Sequence, residues 1–337
     1  FTTCGWMMWN WLVSGLASGS TIVLYDGSPS HPNLGNLWKL ADRVGITHFG
    51  TSPKFLSACT NANLVPKKEA NLSKFRALLS TGSPLVSEQF DWVYDNVNSD
   101  IQLSSISGGT DIIGCFLGGS PILPVFRGEL QCSQLGMDVQ SWSSEGQSVI
   151  GENGELVCTK PFPSMPLHFW NDSDGSKYQS AYFEEFKGVW THGDYIEITA
   201  NKGAIIYGRS DTTLNPGGVR IGTAEIYRAI EGLPEIDDTV VVGRPNNGDV
   251  DVILFIKLAE ANYFDNDFES KVKKLIRLKT TPRHVPKEIY PVTDIPYTIS
   301  GKKVEKAVLA KILGNNVKNK DALANPECLA QYSEFSI

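Results

Sequence analysis

Ile101-Gln-Leu-Ser-Ser-Ile106 runs directly into Ser107-Gly-Gly-Thr-Asp111, and Phe75-Arg-Ala-Leu-Leu79 runs into Ser80-Thr-Gly-Ser-Pro84. Each is a short apolar run closed by a Gly-containing turn, the pattern of a buried strand leaving the edge of a sheet. Ser87–Val97 lies between them and predicts a helix. Upstream the alternation repeats. Asn33–Val44, with Leu34, Leu37, Trp38 and Leu40, predicts a helix, Gly45–Phe49 a strand and Pro53–Ala62 a helix. Strands separated by helices predict βαβ units and a mostly parallel sheet. Open α/β sheets bind ligands at the turns that follow their strands, so 80–84 and 107–111 are the first candidates for chemistry.

Working outward, Thr21–Tyr25 reads as one more strand, ending at Asp26-Gly27. Phe1–Tyr25 carries no charge. Its length suits a membrane span, but Asn10, Ser14, Gly15, Ser18, Gly19 and Ser20 interrupt it. A buried helix followed by a buried strand is the preferred reading, with no basic segment of the signal-peptide kind. A chain opening at Phe1 inside such a run is expected to be a piece of something longer. After Phe126 the rhythm changes. Phe126–Cys132, Val149–Cys158, Val189–Thr199 and Ala204–Tyr207 predict an antiparallel β subdomain with turns at Glu152-Asn-Gly154 and Asn201-Lys-Gly203. From Asp211 a small α+β domain is expected, with helices near Ala224–Ile230, Phe268–Leu278 and Val304–Leu313 and strands at Thr239–Val242 and Val252–Leu258. The expected organisation is therefore an α/β part over 1–125, the β subdomain over 126–210, a small domain over 211–314 and an extension over 315–337.

Composition narrows the function. Of 337 residues, 41% are hydrophobic and 20% charged, which excludes disordered, collagen-like and mucin-like chains. A net charge of −7 argues against a broad electrostatic grip on nucleic acid. The six cysteines, Cys4, Cys59, Cys115, Cys132, Cys158 and Cys328, form no C-x-x-C pair and read as reduced, buried thiols of a cytosolic protein. No G-x-S-x-G and no G-x-x-x-x-G-K-[ST] occurs, so a nucleophile elbow and a Walker-type loop are out. Lys271–Lys279 reads as the solvated face of a helix.

Four stretches could carry chemistry, and each has an ordinary structural alternative. In Ser107-Gly-Gly-Thr-Asp111, glycines admit a phosphate to the main chain, Thr110 can donate to it and Asp111 can hold Mg²⁺; a plain β-turn reads as well. Trp190-Thr-His-Gly-Asp194 sets a carboxylate after a Gly, suited to a ribose diol or simply to a hairpin turn, with His192 read as a turn residue. Gly208-Arg-Ser-Asp211 and Gly217-Gly-Val-Arg220 offer two arginines for phosphate or ribose, or for surface salt bridges. Pro296-Tyr-Thr-Ile-Ser-Gly-Lys302 puts an ammonium on a Gly turn, where it can neutralise growing charge or merely be exposed.

Taken together, in this order and spacing, these stretches resemble the adenylate-forming superfamily of acyl-CoA synthetases, adenylation domains and luciferases, from about Thr2 to about Leu313. The resemblance implies the later part of a large N-terminal domain followed by a mobile C-terminal lid. It implies that Gly82, Ser83 and Pro84 form the adenine-side turn, that Ser107 binds the nucleotide and that Thr110 is a catalytic threonine that binds its phosphate. Asp111 stands where the family usually has a Glu ligand to Mg²⁺. Asp194 and Arg209 match the ribose contacts, Asp211 the hinge, Gly218 the pantetheine channel, Arg220 a phosphate-binding arginine and Lys302 the adenylation lysine. The family's Ser/Thr/Gly-rich phosphate loop is absent from the 337 residues, so the isolated chain is expected to be inactive or severely impaired.

The family's acetate-activating members close the acyl pocket with a Trp two residues before the threonine. Gly108 stands there, beside Gly109, which implies room for a longer acid. Thr2–Gly27 and Ala324-Asn-Pro-Glu-Cys-Leu329 with Tyr332 resemble the acetoacetate-activating branch. The implied reaction joins acetoacetate to CoA through an acyl-adenylate, with ATP and CoA as co-substrates and Mg²⁺ as cofactor, in the cytosol, without nucleic acid or membrane insertion. Ligation of another short or medium-chain acid, and a non-catalytic nucleotide-binding role on the same fold, remain the alternatives.

Overall fold

The apolar runs between about residues 34 and 103 fold around one aromatic stack. Helices α1 (Met7–Ser14) and α2 (Asn36–Val44) precede strand β1 (His48–Thr51), α3 (Pro53–Asn61), the single turn α4 (Pro66–Glu69), β2 (Ala77–Ser80), α5 (Ser87–Asn96) and β3 (Gln102–Ser105). In α2, Leu37, Trp38 and Ala41 share the buried face. Gly45, in the left-handed region at φ 70°, ends the helix where a side chain would be strained. The Trp38 indole stacks on Phe49 at 4.9 Å and tilts against Phe75 at 6.4 Å, locking α2 to the first two strands. Helix α3 starts where Ser52 Oγ accepts the Phe55 N–H at 3.3 Å and Pro53 takes the first turn. Strands β1, β2 and β3 are parallel in that order, with His48 opposite Ala77 and Ala77 opposite Gln102.

The computed structural model describes residues 2–219, 221–247, 249–299, 301–317 and 320–335, with Asp211 and Gly218 described by their backbone alone. Arg220 lies outside the described residues. The chain divides into two compact units, 1–206 and 207–337.

Beyond β3 the first unit turns antiparallel. β4 (Ser107–Gly109), β5 (Gly114–Gly118) and β6 (Cys132–Ser133) form one small sheet. β7 (Val139–Trp142), β8 (Ser148–Val149), β9 (Asn153–Cys158), β10 (Trp190–Ile198) and β11 (Ala204–Arg209) form a second, in the order β11-β10-β9-β7-β8, with helix α6 (Ser176–Tyr182) inserted before β10.

In the second unit, α7 (Thr223–Ile230), β12 (Ile236–Asn246), β13 (Asp249–Leu258), α8 (Asn266–Lys279), β14 (Glu288–Pro291) and α9 (Glu305–Ile312) follow in order. β12 pairs antiparallel with β13, and β13 parallel with β14. Alternation along β12 sends Val241 to one face, with Ile226, Ile230, Val272 and Ile276 of α7 and α8. Val240 and Val242 go to the other, with Val308 and Ile312 of α9 and Tyr332 of the tail. Asp265 caps α8 by accepting the Phe268 N–H at 2.8 Å, and the remaining lysines of the basic stretch line its solvent side.

Several expectations are corrected. Of the run Phe126–Cys132 only Cys132 enters a strand, and of the cysteines only Cys59 and Cys158 are buried, with Cys4 exposed. Thr21–Tyr25 forms no strand; β-branched residues express strand propensity only where a neighbouring edge pairs with them. The apolar opening is not buried: Met7 is the one buried residue of α1, and Trp11, Leu16 and Leu24 are 40%, 55% and 62% exposed. Among the described residues no helix is long and apolar enough to cross a membrane. The run Val149–Cys158 is two strands, because Gly151 turns the chain at φ 72°.

The five-stranded sheet is closely packed at Gly154, where an added Cβ would lie 2.4 Å from the Trp142 carbonyl oxygen and 2.6 Å from Ser141 Oγ. Gly154→Ala is expected to destabilise the first unit by about 1–3 kcal/mol, read from the urea midpoint of its unfolding; an unchanged midpoint would show that β7 and β9 can part freely.

Candidate functional site

Parallel register decides what the two Gly-containing turns can do. β1, β2 and β3 reach the same edge at Thr51, Ser80 and Ser105, through the pairs Thr51–Ser80 and Ser80–Ser105. The chain segments leaving that edge are then tied together. Ile106 N–H donates to the Ser80 carbonyl at 2.9 Å, Thr81 N–H to the Thr51 carbonyl at 3.2 Å, and Thr81 Oγ1–H to the Ile106 carbonyl at 2.9 Å. Gly82 follows at φ 100°, a conformation open to glycine, and Gly82 and Ser83 are exposed with Pro84 half-buried.

Ser107–Gly109 is a strand rather than the start of a loose turn. Gly108 pairs with Cys115 and Gly109 with Gly114, so Thr110 and Asp111 sit exposed at the tip of a hairpin. A Cβ at position 108 would lie 2.1 Å from the Gly114 carbonyl oxygen and 2.6 Å from the Cys115 Cα. The volume beside the Gly108 Cα is therefore already filled by β5. Burial pushes the Cys115 thiol up to about 12, so Cys115 offers no thiolate here. Asp111 Oδ2 accepts from the Tyr182 phenol, whose ring stacks on buried Trp190 at 3.7 Å.

The Trp190–Asp194 stretch is not a hairpin turn. It lies inside β10 as a bulge, with Thr191 opposite Val157 and Tyr195 opposite Glu155, so three residues face one. Gly193, at φ 80°, makes the kink and donates its N–H to Glu155 Oε1 at 2.8 Å. His192 is buried, packed edge-on to Phe116 at 4.7 Å, with Nε2 3.9 Å from Asp194 Oδ2. A Cβ on Gly109 would come within 2.9 Å of His192 Cε1. The hairpin carrying Thr110 and Asp111 and the bulge carrying Asp194 thus meet at Gly109, across more than eighty residues of sequence.

The other described site candidates lie in the second unit, which begins at Tyr207 within β11. Arg209 is exposed, and its carbonyl accepts from the Thr212 and Thr213 hydroxyls at 3.1 and 3.0 Å. Asp211 and Gly218 fall on two 3₁₀ turns, Ser210–Thr212 and Pro216–Gly218. The second of these turns is held by Asp249, which accepts the Gly217 N–H at 2.7 Å, and by Arg283, which donates to the Pro216 and Gly217 carbonyls at 3.2 and 3.3 Å.

Lys302 is exposed on a different turn. Thr298 N–H donates to the Lys302 carbonyl at 2.8 Å, Gly301 N–H to the Thr298 carbonyl at 2.8 Å and Lys302 N–H to Thr298 Oγ1 at 3.0 Å. Its base holds the residues that sequence reasoning missed. Lys303 Nζ lies 2.8 Å from Asp238 Oδ1 and 4.4 Å from the centre of the Tyr227 ring, while the Tyr297 phenol donates to the other Asp238 oxygen. Burial alone would raise the Asp238 carboxyl, but the Lys303 ammonium and the Tyr297 phenol outweigh it and hold it below the ordinary value. Burial and the neighbouring Asp238 carboxylate push Tyr297 up, so it stays a donor. No local signal marks Asp238, which sits 65 residues before Lys303.

Residues 1–164 match the family described as AMP-binding enzyme. The chain is 52% identical to the acetoacetyl-coenzyme A synthetase of Rhizobium meliloti (strain 1021), over 98% of this chain and 51% of that protein. It is 50% identical to the acetoacetyl-CoA synthetase of Gallus gallus, over 99% and 50% respectively. Among solved structures, the acetoacetyl-CoA synthetase from Streptomyces lividans superposes with a TM-score of 0.93 at 44% identity, covering 99% of this chain and 52% of that one. The anthranilate CoA ligase AuaEII shares the fold at a TM-score of 0.69 and 20% identity, over 85% of this chain and 53% of that one. The chain spans about half the length of the curated relatives it matches.

The base of the Lys302 turn supplies a test. Lys303→Ala leaves the Asp238 carboxylate, 16% exposed, without its ammonium. The second unit should lose about 3 kcal/mol at pH 7. Because the folded Asp238 value is depressed, this stabilisation is present above the ordinary 3.8 and lost as pH falls below it. Urea titrations of both proteins between pH 7 and pH 3 should show the gap narrowing at the acid end; a gap independent of pH would contradict the ion pair.

Proposed function

We propose that this chain, a relative of acetoacetyl-CoA synthetases along nearly its whole length, carries the later part of the sequence of an AMP-forming ligase that joins acetoacetate to CoA through acetoacetyl-adenylate. The observation that supports it most is the 44% to 52% identity to such synthetases over 98% to 99% of the chain. The substrate follows from those relatives, not from an emptied side-chain volume at Gly108, since main chain fills that space.

In the first step the acetoacetate carboxylate attacks the α-phosphorus of ATP. The nucleophile is already ionised at neutral pH, so the protein needs no strong base; its work is alignment and charge neutralisation. In this reading Gly82, Ser83 and Pro84 border the adenine, and Asp194 and Arg209 hold the ribose. The main chain of Ser107 to Gly109 lines the reacting end, Gly109 on the acyl side, and the Thr110 hydroxyl donates to phosphate. Arg220 serves the same phosphates from outside the described residues.

Lys302 supplies positive charge as the five-coordinate phosphorus forms. Asp111 fits Mg²⁺: it is an exposed carboxylate with one oxygen fixed by Tyr182, and Mg²⁺ binds through one or two carboxylates plus substrate phosphates. When bound, the cation would neutralise phosphate charge. Asp211 is the proposed pivot by which Lys302 gives way to the Gly218 turn for attack by the CoA thiol, which displaces AMP. Six unpaired cysteines suit a reducing cytosol.

The test uses the 337-residue chain alone and grafted in place of the matched segment of the Streptomyces lividans enzyme. The graft should support acetoacetate-dependent ATP–pyrophosphate exchange. Lys302→Ala should cut that exchange by about a hundredfold or more, while thioester formation from supplied acetoacetyl-adenylate changes by less than about tenfold. Equal losses in both half-reactions would remove Lys302 from the adenylation step. A preference for acetate or butyrate over acetoacetate would overturn the substrate.

A further inference from the structure

The Lys302 turn is braced from outside its own segment. Residues 320–335 carry two 3₁₀ stretches, Lys320–Ala322 and Pro326–Phe335, and bury Leu323, Leu329 and Tyr332 in the second unit. Between the two stretches the chain runs as an edge beside the segment entering the Lys302 turn. Thr298 and Leu323 form an antiparallel bridge; Ile299 N–H donates to the Ala322 carbonyl at 2.9 Å and Ala324 N–H to the Tyr297 carbonyl at 2.8 Å.

Asn325 then uses its whole amide. Its Oδ1 accepts the Tyr297 N–H at 2.9 Å, and its Nδ2 donates to Asp294 Oδ2 at 2.6 Å and to the Ile295 carbonyl at 2.8 Å. Six residues further, Gln331 Oε1 accepts from Thr293 N–H at 2.8 Å, and the buried Tyr332 phenol donates to the Asp294 carbonyl at 3.0 Å. The strand side of the turn, from Thr293 to Ile299, is thus held along its length by the tail.

We propose that the segment 320–335 is a brace that sets the position of the Lys302 turn, and that Asn325 is its positioning residue, acting on Lys302 through Tyr297. The Lys302 turn is a short exposed hairpin. Three hydrogen bonds inside the turn do not suffice to hold it against fraying, since a two-stranded hairpin alone is marginal in water. A lysine that neutralises charge in a transition state must already stand in place when the charge appears, because reordering it then would cost rate. The Lys303–Asp238 pair fixes the exit of the turn and the tail fixes its entry. The proposal rests on the reading of Lys302 as the adenylation lysine, but the brace itself can be measured without it.

Asn325→Ala and Asn325→Asp are compared with the unaltered chain by residue-resolved hydrogen exchange. Asn325→Asp keeps the acceptor for Tyr297 but turns a carboxylate towards Asp294 and the Ile295 carbonyl, so it should loosen the turn at least as much as Asn325→Ala. The amides of Ile299, Gly301 and Lys302, none of which touches Asn325, should exchange about tenfold faster or more. The amides of the β12–β13 ladder should stay unchanged. Unchanged exchange at those three amides would overturn the brace, and so would an equal acceleration across the ladder, which would make Asn325 a general stability residue.

In the grafted enzyme the same variants should slow pyrophosphate exchange by about tenfold and spare thioester formation from supplied adenylate. If the three amides loosen while both half-reactions stay unchanged, the brace stands and the adenylation reading of Lys302 falls.

Discussion

The first unit depends on one geometric constraint: three parallel strands reach the same edge in register, at Thr51, Ser80 and Ser105. In a parallel sheet the successive chain exits face the same way, and their freed backbone groups must find partners close by. Here they find each other. The Thr81 hydroxyl on the Ile106 carbonyl and the Ile106 N–H on the Ser80 carbonyl tie two turns, 25 residues apart, into one rim. Everything that follows, from the Thr110–Asp111 hairpin to the bulge against which it rests, is placed relative to that rim.

The bulge in β10 shows how an antiparallel sheet can serve a parallel one. A regular strand would alternate His192, Gly193 and Asp194 between its faces. Three residues opposite one breaks the alternation. His192 is then buried against Phe116 while Asp194 stays partly exposed, and the Glu155 carboxylate holds the displaced main chain through the Gly193 N–H. The bulge and the hairpin meet with no room for a side chain on Gly109. Glycine at that position is a packing requirement.

In the second unit two turns, Pro216–Gly218 and Thr298–Lys302, hang on separate anchors. Asp249 and Arg283 hold the first; Asp238, Lys303 and the tail hold the second. The glycine-containing turn and the lysine-bearing turn are thus held by different side chains. The anchoring pairs include a half-buried ion pair and a fully used asparagine amide, which favour one geometry over many because each leaves an unsatisfied group if it slips.

Local pattern alone determined much of this. The alternation of strand and helix over 45–106, the change to antiparallel strands after it, the small α+β domain and the helix around Phe268–Leu278 all depend on short-range hydrophobic period and turn residues, which are properties of contiguous sequence. The candidate residues Thr110, Asp111, Asp194 and Lys302 were also legible, because glycine turns beside polar residues are visible locally. Tertiary structure alone decided the rest. Thr21–Tyr25 is mostly apolar and rich in β-branched residues, yet it pairs with no strand. The Trp190–Asp194 stretch reads like a turn, yet it is a bulge because Glu155 on the neighbouring strand captures the Gly193 N–H. Tyr182 beside Asp111, Asp238 beside Lys303 and Asn325 beside Tyr297 are pairings between segments 28 to 71 residues apart. Such pairings are created by register and packing, and no spacing along the chain encodes them.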